Sequence, residues 1–156
     1  MKESTDIKVL IPDENYQIME FNQEEKYGIA VINTALQDDD LKEVFSWNCS
    51  IMLELENTTK NGMPIEDEFS ILEDFEKYLD DNIKGENKEK PNALFFGRVT
   101  WNSTRQLIWK VYEPKISNDF LQELIESENY PFEFDYRIEE DDKWELTKWY
   151  SEKIKK

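Results

Sequence analysis

Histidine is absent from this 156-residue chain, and cysteine occurs once. Without an imidazole, the usual general base of a nucleophilic triad is missing. The commonest transition-metal ligand is missing too. Cys49 has no partner within the chain, so no intramolecular disulfide forms. Its setting, Trp47-Asn48-Cys49-Ser50-Ile51-Met52-Leu53, reads as a small buried thiol rather than a nucleophile. Glycine occurs four times with no Gly-x-Gly, so a glycine-rich phosphate loop is excluded. No apolar run approaches membrane-spanning length, and the first residues lack an apolar signal core. The expectation is a cytoplasmic protein with no membrane partner.

What is abundant is negative charge. Thirty-six Asp and Glu stand against 19 Lys and Arg, for a net charge of −17. A field of that sign repels phosphate backbones and anionic lipids, so nucleic acid is not an expected partner. It attracts basic protein surfaces and dissolved cations. The hydrophobic fraction is a low 38%, but 13% of the residues are aromatic, which separates the chain from disordered sequences. The length fits one domain over residues 1–156. Residues 1–15 are polar, with a break at Pro12-Asp13, and are expected to form a flexible N-terminal segment.

The patterning predicts an α+β chain. Tyr16 to Phe21 and Tyr27 to Ile32 read as a hairpin, Asp38-Asp39-Asp40 as a charged turn, and Val44 to Leu55 as a strand. Ile65, Phe69, Leu72, Phe75 and Leu79 make one apolar helical stripe, with Glu66, Asp67 and Glu68 in the first turn. Asn92 to Trp101 and Thr104 to Tyr112 form a hairpin about Asn102-Ser103. Ser117 is a natural N-cap for a short helix bearing Phe120, Leu121, Leu124 and Ile125. Phe132, Phe134, Tyr136 and Ile138 alternate with acidic and basic residues as in a strand with one wet face. Glu139 to Asp142 is expected to open a last helix carrying Trp144, Trp149, Tyr150 and Ile154.

From 44 to 138 this order is strand, helix, strand, strand, helix, strand. It predicts a ferredoxin-like sandwich, a βαββαβ core with an N-terminal β-hairpin and a C-terminal helix added. Pairing Trp101 with Thr104 puts Leu94, Phe96 and Arg98 on one face with Arg105, Leu107, Trp109 and Val111. Ala93, Phe95, Gly97, Val99, Ile108 and Tyr112 fall on the other. Both faces are apolar, so the second needs a cover: the C-terminal helix first, and otherwise a second copy of the chain. Monomer and homodimer both remain open.

Three sets of residues carry a resemblance: Gly62-Met63-Pro64 before an acidic helix, Gly97-Arg98-Val99-Thr100 with Arg105 in the next strand, and Asp142-Lys143-Trp144 followed by Trp149-Tyr150. On these the chain resembles the bacterial family catalogued as domain of unknown function 695, over roughly residues 16–150. That family has no established activity, so the resemblance implies no catalytic residues. Some relatives are joined to a domain like the ribonuclease E regulator B protein, a small acidic ferredoxin-like inhibitor, which implies regulation by protein contact.

The candidate chemistry is thin. Arg98 and Arg105, with Thr100 between them, offer two guanidiniums near one hairpin end, able to hold a carboxylate or phosphate, or else to form internal ion pairs. The acidic clusters, Asp38, Asp39, Asp40, Glu66, Asp67, Asp80 and Asp81, are candidates for contact with a basic partner. None has the spacing of a calcium loop, so no metal site and no cofactor are expected. The leading expectation is therefore a non-catalytic acidic protein that regulates or inhibits a basic partner, such as a nuclease or toxin, by contact. The alternatives are a small anionic-ligand domain built on Arg98 and Arg105, and a metal-dependent enzyme.

Overall fold

The computed structural model describes residues 9–87 and 89–154. Six strands form one antiparallel sheet: β1 (Tyr16–Gln23), β2 (Lys26–Asn33), β3 (Trp47–Glu54), β4 (Ala93–Trp101), β5 (Thr104–Val111) and β6 (Phe134–Glu140). Their order is β1-β2-β4-β5-β3-β6. Four helices accompany them: α1 (Asp39–Val44), α2 (Phe69–Lys84), α3 (Pro114–Ser127) and α4 (Lys148–Ile154). The fold is thus mixed α and β. The N-terminal hairpin lengthens the same sheet through β2–β4 pairing.

Helix ends explain where the expected boundaries move. Asp38 caps α1, its side chain accepting the Asp40 N–H at 3.0 Å, and Asp39 and Asp40 fill the first turn. The triple aspartate is therefore a helix start rather than a turn, because carboxylates are favoured at the positive end of a helix. The strand after it begins only at Trp47. α3 starts at Pro114, whose missing N–H costs nothing at that position, so Ser117 lies buried within the helix and is not its cap. Glu139 and Glu140 belong to β6. The last helical segment is opened by Asp141, which accepts the N–H groups of Glu145 at 2.9 Å and Leu146 at 3.0 Å.

Each sheet face has its own core. Leu72, Phe75, Leu79 and Ile83 of α2 and Leu121 and Leu124 of α3 cover the first, packing on Ile51, Phe95, Leu107 and Trp109. The second buries Ala30, Ile32, Leu94, Phe96, Val99 and Ile108 beneath Leu36, Leu41, Phe45 and Trp144. Its cover therefore comes from the same chain, but chiefly from the α1 region and from Trp144, which precedes α4. Tyr150 of α4 packs against this core, whereas Trp149 is 47% exposed. Val9 and Ile11 also pack here, and Asn15 N–H donates to Asn33 Oδ1 at 3.1 Å. The expected flexible segment is thus tied down over residues 9–15, and residues 1–8 lie outside the described residues.

One irregularity reverses the face assignment within β4. Phe96 is an extra residue between the pairs Phe95↔Trp109 and Gly97↔Ile108. Such a bulge inverts the alternation on one side of it. Arg98 and Thr100 keep their expected face with Arg105, Leu107 and Trp109. Ala93 and Phe95 join that face, and Leu94 and Phe96 join the second. Gly97, beside the bulge, lets β2 approach: a Cβ there would lie 2.6 Å from the Val31 carbonyl oxygen and 2.8 Å from Ile32 Cδ1. Because one clash is with backbone, Gly97→Ala is expected to destabilise the protein by roughly 1–3 kcal/mol, through overpacking. Urea unfolding would check this, and an unchanged midpoint would refute it.

Candidate functional site

The two arginines singled out in the sequence do share a face and a hairpin end, as does Thr100. Glu76 of α2 holds Arg98 in a two-toothed ion pair, with Nε donating to Oε1 at 2.8 Å and Nη2 to Oε2. Burial works against the Arg98 cation, but the Glu76 hydrogen bond and charge more than offset it, so its pKa is raised. Arg98 is thereby an anchor of α2 on the sheet. Arg105 differs. Its Nε donates to Thr100 Oγ1 at 3.0 Å, and among the described residues it has no carboxylate within ion-pair distance. Burial lowers its pKa, with Glu76 opposing.

The acidic candidates are not one patch. Asp38, Asp39 and Asp40 are exposed at the start of α1, on the second face, and Glu66 and Asp67 are exposed just before α2, on the first. A flat partner cannot touch both sets at once. Asp80 and Asp81 are half-buried and engaged. Asp80 accepts the Trp109 indole N–H at 2.8 Å and pairs with Lys84 at 3.0 Å, while Asp81 pairs with Lys77 at 3.0 Å. Among the described residues, no group of three or more Cys, Asp or Glu is placed to hold a metal ion.

Two features escaped the sequence. The first is a groove of about 510 Å³ on the second face, beyond the cover of α1 and Trp144. Its floor is Asn48, Ser50 and Met52 of β3 with Gln106 of β5, and one wall is Asp135, Arg137 and Glu139 of β6. Gln106 Nε2 donates to Ser50 Oγ at 2.7 Å, which fixes the floor. The wet alternation of β6 was legible, but nothing in the sequence showed that the helical cover stops short of it.

The second is Lys110, which is fully buried and is tied to Asn48 of the groove floor. Its Nζ donates to Asn48 Oδ1 at 2.8 Å and lies 4.0 Å from Asp141 Oδ2. The rings of Phe96 and Trp144 each sit 5.1 Å away. Burial pushes its pKa down to about 7; Asp141 opposes this and Lys42 adds to it. The available signal was parity, since Lys110 falls two residues after the buried Ile108 and hence on the same face. Cys49 is buried as expected, its thiol pushed up to about 12 by burial, so it is not a reactive thiolate.

Fold and site together define a small α+β protein with helical cover on both sheet faces and an open groove beside β6. The chain belongs to the family of unknown function DUF695, whose family model matches residues 14–151. No curated protein and no solved structure matches it. Among the described residues, no helix is long and apolar enough to cross a membrane.

Proposed function

We propose that this protein is a non-catalytic contact module that binds a basic protein in the cytoplasm, as a regulator or inhibitor of the nuclease or toxin type. The observation that carries this reading is how the basic side chains are used. Lys42, Lys77, Lys84, Arg98 and Lys115 each pair with a carboxylate of the chain itself. The acidic surplus is therefore left facing solvent, at Asp38, Asp40, Glu66, Asp67, Glu73 and Asp74 among others. Such a surface speeds encounter with an opposite charge and selects against like-charged partners.

The architecture fits a scaffold for contact. The unit β3-α2-β4-β5-α3-β6, with spatial order β4-β5-β3-β6, supports reading the core as a ferredoxin-like sandwich, extended at one edge by β1 and β2. Affinity capture from cell extract at low and high ionic strength tests the function. Basic proteins should be retained at low salt, released at high salt, and lost in either D38N/D39N/D40N or E66Q/D67N, according to the face used. Retention that ignores both salt and the two variants would sink the reading.

A second reading, a small anionic ligand, is favoured by one observation: Arg105 has no carboxylate partner among the described residues, while its Nε is already oriented by Thr100. A thermal-shift series with carboxylates and phosphates should then give stabilisation that Arg105→Ala removes. Equal shifts in the two proteins would dismiss it.

A further inference from the structure

The groove is walled by β6, and β6 is a sheet edge: it pairs with β3 on one side and with no strand on the other among the described residues. Phe134, Tyr136 and Ile138 pack toward the helices, and Asp135, Arg137 and Glu139 line the groove, which Tyr136 also borders. An edge with a row of unpaired backbone groups, beside an open trough, is the arrangement that accepts an added strand.

We propose that this edge binds an extended segment of a partner protein, added antiparallel to β6, with basic, acidic and basic residues at alternate positions. The charge order on the wall fixes that order on the ligand. Residues directly opposite in an antiparallel pair share a face and interact, so Asp135 and Glu139 call for cations and Arg137 for an anion. The intervening ligand residues would lie beside Phe134, Tyr136 and Ile138, where apolar side chains fit. This rests on the protein-contact reading above and names its surface.

A second copy of the chain is a poorer occupant. Pairing β6 on itself about Arg137 sets Arg137 on Arg137 and Asp135 on Glu139. Pairing about Tyr136 matches Asp135 with Arg137 but sets Glu133 on Glu139 twice. Each register carries like-charge pairs, and two chains of net charge −17 repel.

The test uses a fluorescein-labelled seven-residue peptide with Lys-x-Glu-x-Lys on one face and valine at the other positions, read by anisotropy on the whole protein. The peptide should bind in a salt-sensitive way, and N-methylation of its edge-facing amides should abolish binding. D135K/E139K should weaken binding by about tenfold or more and should prefer the charge-reversed Glu-x-Lys-x-Glu peptide. Binding unchanged in D135K/E139K would mean pairing elsewhere, for example at β1, and would overturn the proposal. So would self-association on sedimentation that the same variant removes. If the peptide fails while D135K/E139K still captures basic proteins at low salt, the edge assignment falls and the contact reading stands.

Discussion

Replacing Lys110 with methionine is expected to stabilise the protein near pH 7 by roughly 1–2 kcal/mol, because relief of the buried charge outweighs the loss of the donor to the buried Asn48 Oδ1. The ammonium is stripped of water at a cost of several kcal/mol. Against that cost stand one hydrogen bond to Asn48 Oδ1, Asp141 at 4.0 Å, and two ring faces worth about 1–2 kcal/mol each. Desolvation wins, which is why the pKa falls to about 7. Methionine leaves Asp141 satisfied, because that carboxylate already accepts two backbone N–H groups.

The same burial gives a pH signature. The folded pKa of Lys110, about 7, lies below the ordinary lysine value of 10.5 that the unfolded chain keeps. Between those values the unfolded chain holds more protons than the folded one, so stability rises as pH rises. From about pH 7 to about pH 9 the gain should approach 2–3 kcal/mol, at up to 1.4 kcal/mol per unit. Above about pH 9 the sign turns. Cys49 and Tyr16 have raised folded pKa values, so the unfolded chain then releases their protons first and stability is lost. Urea titrations across that window should show a rise in the parent protein and a flat line in Lys110→Met. A parent flat over the same range, or a variant less stable than it, would refute the account.

Trp144→Ala should cost about 3–5 kcal/mol, the usual range for emptying a buried large aromatic site. Trp144 is 5% exposed, its indole N–H donates to the Phe45 carbonyl at 2.8 Å, and its ring closes the second core over Lys110. Its backbone is left-handed, with φ at 55°, which turns the chain from β6 toward α4. Trp149→Ala should cost under ~1 kcal/mol, because that half-exposed ring makes edge contacts with Phe21 and Tyr150. Far-UV circular dichroism during denaturation separates the two without relying on indole emission. Equal losses would show that α4, rather than the residue before it, holds the second face closed.

Much of the architecture was readable in order along the chain. The stripe at Leu72, Phe75 and Leu79, the Asn102-Ser103 turn and the alternation through Tyr136 are local signals, set by backbone geometry and side-chain direction over a few residues, whereas Ile65 lies in extended backbone before the helix and Phe69 is 52% exposed. α1 was hidden because Asp38-Asp39-Asp40 serves a turn or a helix start equally well, and six residues are too few to show a period. The β4 faces were mistaken because one inserted residue, Phe96, inverts every assignment on its far side while leaving the composition unchanged.

Residue counts and local patterns were enough for the class: an acidic chain rich in aromatics, one buried thiol, no imidazole, and the strand and helix order of its central unit. Those follow from residue counts and short-range periodicity. The tertiary structure alone decided which charges are used internally and which face water. Arg98 reaches Glu76 across 22 residues and Lys110 reaches Asn48 across 62, and no local rule relates such positions. It alone decided, too, where the cover of the second face ends, because that limit is set by how far α1 and Trp144 reach over the sheet.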